Sequence, residues 1–186
     1  MQKVQRMLQK PIIILALIMA VLTFVYALGF ATDIYPLSYH TDKTSKMFYV
    51  EGAELYDLIQ PFNKLLLQYA VGLLILAGTN FMCMSHTRRL YYISNYITSI
   101  AYSAFAIWVG SQVIQYVMIF KGMYLQIDFE RLKSVTEMLG LRYVESTFML
   151  DCGFVLCILL FITAAIVLAN LVMKTIWMRA EKKASV

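Results

Sequence analysis

The sequence predicts an all-α integral membrane protein, built as an antiparallel four-transmembrane-helix bundle with a small extracellular helical cap from two loops. Composition points to this class first. Hydrophobic residues make up 61% of the 186 residues and charged residues 15%, against about 45–50% and about 25% in ordinary globular domains. Four stretches of the chain are also apolar over the roughly 20 residues that a helix needs to cross the hydrocarbon core of a bilayer.

The predicted spans cover residues 12–31, 65–84, 91–120 and 148–173, and Asp151 is the one acidic or basic residue within them. They leave tails at 1–11 and 174–186 and two long loops at 32–64 and 121–147. We therefore predict a single transmembrane domain over residues 1–186. The turn Ser85 to Leu90 is so short that the second and third helices must be neighbours.

The first span has an alternative interpretation, because Lys3, Arg6 and Lys10 before an apolar stretch also describe a secretory signal peptide. Its apolar run is about 20 residues, whereas a signal core has about 7 to 15. We expect an uncleaved anchor. Cleavage would leave three spans.

The distribution of basic residues predicts the orientation, since cytoplasmic segments carry the excess of Lys and Arg. The tails and the short turn contain nine basic residues against one acid, and the two loops contain seven against ten, with Asp151 counted among the loop acids. We expect both termini in the cytoplasm and the loops outside. The Lys, Ile, Tyr and Met content and the lack of outer disulfides favour a bacterial plasma membrane.

The basic pI of about 9.1 needs no nucleic acid, because the positive charge is divided among two tails and a turn. Juxtamembrane bases attract anionic lipid headgroups by about 1 kcal/mol each. Arg88 and Arg89 in the turn are the candidate headgroup contacts, with topology and anchoring as the alternative role.

Small residues recur on one face of each predicted helix, where they allow the close backbone contact that holds membrane helices together. The second span offers Gln68, Gly72 and Thr79, and the fourth offers Gly153 and Cys157, then Ala165 and Ala169. The predicted helix-packing seam comprises Ala16, Ala20, Ala27, Gly72, Asn95, Ser99, Ser103, Ala106, Gly110 and Gly153.

Both long loops contain a segment with the pattern of a short amphipathic helix. Residues 51–60 predict one helix that stops or kinks at Pro61, and residues 128–140 predict another, with Asp128 as its N-cap and Gly140 as its stop. Their apolar side chains either pack on each other and the membrane surface or bind a partner. The candidate partner-binding cap comprises Leu55, Leu58, Phe129 and Leu132.

Polar residues within the spans have two interpretations. Ion or proton coupling normally uses an ionisable group at depth, and none lies near the middle of a span. Asp151 lies near the outer interface, where Lys64, Lys121 or Arg142 can neutralise it. We therefore expect interhelical hydrogen bonds rather than a transport pathway from Gln68, Asn95, Gln112, Gln115 and Asn170.

No catalytic pattern stands out. His40 and His86 are the two histidines and are predicted on opposite sides of the membrane, so they cannot share a metal. A weak divalent site of His40 with Asp42 and Asp33 is the alternative to a solvated loop histidine. No Gly-x-Ser-x-Gly or Gly-rich phosphate loop occurs. We expect no enzyme, no cofactor and no metal.

The order of spans and loops resembles the general four-span plan of claudins and tetraspanins. The first outer loop lacks the Trp and the Cys pair of claudin-like proteins, and Asp151-Cys152-Gly153 offers one Cys where tetraspanins have Cys-Cys-Gly. The resemblance therefore concerns topology alone and implies no function.

Three functional hypotheses follow. The favoured one is a non-enzymatic accessory or scaffold subunit that binds other membrane protein subunits of a larger complex, with a transporter as the expected complex. The second is a small homo-oligomeric channel or facilitator with Ser111, Gln112 and Gln115 facing a pore. The third is a lipid-handling enzyme that uses Asp33 and Asp128.

Overall fold

The computed structural model describes residues 2–32, 34–43, 47–85, 93–140, 143 and 145–184. These residues form five α-helices and a 3-10 helix, with no strand among them. The helices are α1 (Gln2–Gly29), α2 (Leu55–Ser85), α3 (Ile93–Tyr124), α4 (Phe129–Met138) and α5 (Phe148–Ala184), and the 3-10 helix is Tyr35–Tyr39. The all-α four-helix prediction is confirmed.

Four of these helices are long and apolar enough to cross a membrane, over Met7–Gly29, Leu55–Met84, Ile93–Tyr124 and Phe148–Trp177. Each coincides with a predicted span. The helices begin or end several residues beyond the predicted limits, because an α-helix continues past the hydrocarbon core into the interfacial region. The predicted spans therefore mark the apolar part of each helix and not its ends. The first span was predicted to continue to residue 31, whereas α1 ends at Gly29.

The long helices form an antiparallel ring in the order α1, α2, α3, α5, each packed on two neighbours. We call the end with both chain termini the termini side and the end with the two long loops the loop side. The expected pairing of α2 with α3 is confirmed by the close contact of Asn80 with Ser99 at one level and of Tyr69 with Trp108 at another.

Small residues bring the backbones together. A methyl group added at Gly110 of α3 would lie 2.8 Å from Cε1 of Phe161 of α5, and one at Gly72 of α2 would lie 2.9 Å from Cε1 of Phe105 of α3. Across the ring, Tyr102 Oη donates a hydrogen bond of 3.1 Å to the carbonyl oxygen of Ala16. At these levels the helices are therefore in direct contact with one another.

The loop side carries the cap. Helix α4 begins where predicted, because the Asp128 carboxylate accepts a hydrogen bond of 3.0 Å from the backbone N–H of Arg131. Gly140 follows the helix with a positive φ of 69°, which glycine adopts without strain.

The predicted separate helix at 51–60 is wrong. Residues 51–54 form turns, and from Leu55 the chain continues through Pro61 as the first turns of α2. Leu55, Ile59, Phe62 and Leu66 are all buried and lie four, three and four residues apart. This continuous buried stripe keeps the chain helical through Pro61 despite the hydrogen bond that proline cannot donate.

Candidate functional site

The predicted seam residues lie in the interior of the bundle. Gly72 is half-buried, and the other nine are buried: Ala16, Ala20, Ala27, Asn95, Ser99, Ser103, Ala106, Gly110 and Gly153. They pack against other helices of the same chain, so their surfaces are already covered. A partner protein must therefore contact other faces of the helices.

Four further residues that were predicted on the packing faces of the second and fourth spans lie on the outer surface instead. Ala165 and Ala169 of α5 are exposed, and Ala164 fills the interior instead. Gln68 and Thr79 of α2 are also exposed. One residue on a helix corresponds to a rotation of about 100°, so an error of one position turns a seam from the interior to the lipid.

Gln68 is the polar residue whose position is hardest to reconcile with a lipid environment. It lies about 3 Å from the midpoint of α2, as judged from the helical rise. The next residue, Tyr69, contacts Trp108, with ring centroids 4.6 Å apart, and Trp108 lies at the middle of α3. The Gln68 amide therefore lies near mid-depth of the bundle, on its outer surface.

Around Gln68 the surface of α2 is concave. A groove of about 440 Å³ is lined by Leu67, Gln68, Val71, Gly72 and Ile75, and we call it the Gln68 groove. Gly72 borders the groove, although the space that a side chain would take there is filled by the Phe105 ring of α3. In hydrocarbon an amide without a hydrogen-bond partner costs about 2–7 kcal/mol, and a polar group from another helix would remove that cost.

The outer face of α3 carries further polar residues. Gln115 is exposed, and Ser111 and Gln112 are half-exposed. Ser111 Oγ donates a hydrogen bond of 2.8 Å to the carbonyl oxygen of Ile107 one turn earlier, so its hydroxyl is satisfied within its own helix. Gln115 lies nearer the loop side than Gln68, where its amide reaches the interface more easily.

The four predicted cap residues separate into two groups. Leu55 and Leu132 are fully buried in this chain, whereas Leu58 is half exposed. Phe129 is half-buried, with its ring 5.2 Å from that of Tyr124. Leu55 and Leu132 therefore hold the loop side together, and Leu58 is the cap residue that offers surface to another molecule.

An exposed polar network joins the first loop to the start of α2. Lys43 Nζ lies 2.7 Å from Glu54 Oε1, and Tyr49 Oη donates a hydrogen bond of 2.9 Å to the same oxygen. The ammonium of Lys43 beside it holds the pKa of Glu54 below its ordinary value, and the hydrogen bond to Glu54 raises the pKa of Tyr49.

Asp151 is neutralised as expected. Lys121 Nζ lies 2.5 Å from Asp151 Oδ1, and Thr147 Oγ1 donates a hydrogen bond of 2.7 Å to Asp151 Oδ2. The pair links α3 and α5 at the loop side. Its charges balance each other within the chain, so they form part of the scaffold rather than an open ionic site.

The remaining predicted residues are His40, Asp42, Asp33, Asp128, Arg88 and Arg89. His40 is buried, and its Nδ1 donates a hydrogen bond of 2.8 Å to the carbonyl oxygen of Phe48. Asp42 is exposed, and no cluster of three or more metal-ligating side chains occurs among the described residues. Asp33, Arg88 and Arg89 lie outside the described residues. Asp128, the other carboxylate of the enzymatic hypothesis, caps α4.

Together the four long apolar helices and their closed, self-packed interior define a multi-pass helical membrane protein. Comparison of the chain with protein-family models, with curated proteins and with solved structures finds no match.

Proposed function

We propose that this chain is a non-enzymatic membrane subunit that binds a larger membrane complex through the outer surface of α2. The Gln68 amide carries the proposal, because it is exposed at mid-depth of an apolar helix. A polar group in that place is stabilised by a hydrogen bond from a neighbouring helix. We propose a transporter as the class of complex, with this chain as its accessory or scaffold.

The shape of the surface supports the same proposal. The Gln68 groove has exposed Val71 and Ile75 along its walls. A partner helix that lies in the groove would place a donor or acceptor beside Gln68 and pack its apolar side chains against Ile75.

We also propose that the termini face the cytoplasm of a bacterial cell and that Arg88 and Arg89 contact anionic headgroups. The excess of basic residues on the termini side supports both points. Binding of nucleic acid forms no part of the proposal.

Purification of the chain from its native membranes in mild detergent tests the proposal. We expect foreign membrane subunits to co-purify in a fixed stoichiometry, and Gln68→Leu to lower their recovery. Ile75→Leu is the matched control, because it lies two turns away on the same exposed face and changes no polar group. A chain that purifies alone, or a Gln68→Leu variant that retains its partners fully, contradicts the proposal.

A second candidate is a small channel or facilitator of several copies of this chain. The exposed Gln115 and the half-exposed Ser111, one turn apart on the outer face of α3, favour it, since these residues would line a pore if copies met along that face. The same purification distinguishes the two candidates, because a homo-oligomer without foreign subunits supports the channel.

A further inference from the structure

Several buried polar side chains gather at the termini side of the interior, and the proposed function does not use them. We call them the termini-side polar layer: Gln9 of α1, Asn80 of α2, Ser99 and Ser103 of α3, and Asn170 of α5. Each is at most 2% exposed. Buried polar atoms in native structures nearly always have hydrogen-bond partners, so a concentration of them on four helices needs a physical explanation.

Contacts on two sides of the ring place these residues at one depth. Ser99 Oγ donates a hydrogen bond of 3.2 Å to Asn80 Oδ1, and Ser103 lies one turn from Ser99 on the same buried face. On the other side, Lys10 and Phe81, which follow Gln9 and Asn80 in the chain, line one small cavity together. The inward-facing residues of α1, α2 and α3 therefore meet at this level.

The register of α5 brings Asn170 to the same level. Lys121 is paired with Asp151, and Gly110 contacts Phe161, so an antiparallel continuation places Asn170 beside residues 101–102 of α3. Gly29 of α1 contacts Met149, and the same continuation places Gln9 beside Asn170.

Within the described residues, several atoms of this layer make no hydrogen bond: Gln9 Nε2 and Oε1, Asn80 Nδ2, Ser103 Oγ and Asn170 Oδ1. The set contains amide donors, carbonyl acceptors and a hydroxyl that can do both. A cation would satisfy the acceptors alone, and an anion the donors alone. Water satisfies both, and a buried water typically makes about three hydrogen bonds.

We propose that the termini-side polar layer is a binding site for a small cluster of internal water molecules. The cluster ends toward the middle of the bundle, because Ala106, Val109, Val113 and Val117 of α3 are fully buried and apolar. Tyr102 and Ser103 form the inner edge of the layer, where the Tyr102 hydroxyl donates to the Ala16 carbonyl. The interior of a single chain is therefore wet near the termini side and dry from Ala106 onward.

Two buried methionines can report whether water is present, one in the termini-side polar layer and one in the apolar middle of the bundle. Met84 is 4% exposed, and its Sδ lies 3.4 Å from Ser99 Oγ within the layer. Met19, at 3% exposed, belongs to the hydrophobic core about 15 Å further along α1 than Gln9. Hydroxyl radicals produced by X-rays from bound water oxidise the side chains beside that water, so the two thioethers differ in neighbouring water and not in burial.

The experiment is radiolytic footprinting of the full chain in lipid nanodiscs, with a scavenger that removes radicals from bulk solvent. We expect Met84 to be oxidised several-fold faster than Met19 with the scavenger present. Equal protection of both methionines, or loss of the Met84 signal when the scavenger is added, overturns the proposal.

A variant identifies the layer as the source of the signal. Asn170→Leu removes one polar wall of the site, and we expect Met84 oxidation to fall to the level of Met19. Thr163→Val is the matched control, since Thr163 is buried on the same helix but its hydroxyl already donates to the Leu159 carbonyl. If Asn170→Leu leaves Met84 oxidation unchanged, or Thr163→Val abolishes it, the assignment is wrong.

Discussion

Replacement of Gly110 by leucine tests the close packing of α3 on α5. The Cβ atom alone would lie 2.8 Å from Cε1 and 3.1 Å from Cζ of Phe161, whereas carbon atoms prefer about 3.5–4.0 Å. The ring must move, and leucine adds three more carbons behind the Cβ. Overpacking of this kind costs about 1–3 kcal/mol.

The control uses a glycine of the same helix. Gly122 of α3 has no atom within 4 Å of an added Cβ, so Gly122→Leu adds the same side chain to the same helix without the clash. The difference between the two variants therefore reports chiefly on the packing cost at Gly110.

The difference is measured as a difference in unfolding temperature. Each variant is heated in detergent, and the fraction of chain that remains monodisperse is monitored. For a chain of this size 1 kcal/mol corresponds to about 2–4 °C, so we expect Gly110→Leu to unfold about 2–12 °C below Gly122→Leu. Equal midpoints would refute the inference that the contact between Gly110 and Phe161 limits the distance between α3 and α5.

Two further predictions concern single polar contacts. Tyr102→Phe removes the hydrogen bond to the α1 backbone and should lower the free energy of unfolding by about 0.6 kcal/mol, and by no more than about 1.7 kcal/mol; a larger loss in equilibrium unfolding would show that the hydroxyl has another role. The second contact is that of Glu54 with Lys43, which lowers the pKa of Glu54. The contact therefore stabilises the fold fully at pH values above the ordinary pKa of 4.5, and this contribution is lost as the pH falls through the lowered pKa. The stability difference between the native chain and Glu54→Gln should therefore shrink below about pH 4.5, and a difference that is constant down to pH 3 would contradict it.

The placement of the seam residues changes where a partner should be sought. Ala106 and Gly110 are buried against helices of the same chain, so their enlargement would disrupt the bundle before it disrupted an assembly. Gln68 allows a cleaner test, because its side chain lies outside the interior. The structure therefore separates residues that build the subunit from residues that can recognise another one.

In the cap, one of the two predicted helices forms where the local sequence pattern placed it and the other does not. Helix α4 was predictable because Asp128 and Gly140 act on neighbouring backbone groups, which are fixed by the local sequence alone. The first loop was not, because Pro61 locally favours a helix end. Burial of Phe62 and Leu66 against other helices outweighs that preference, and those contacts come from distant parts of the chain.

Composition and length alone determined that this chain crosses a membrane four times, because the cost of placing charges and free backbone groups in hydrocarbon depends on nothing but the local run of residues. Only the tertiary structure decided which face of each helix turns inward. Lipid and protein interior are equally apolar, so Ala164 and Ala165 look alike in sequence, and the distances between neighbouring helices select one of them. The packing of α2 against its neighbours likewise decides that Asn80 lies inside the bundle and that Gln68 lies on its surface.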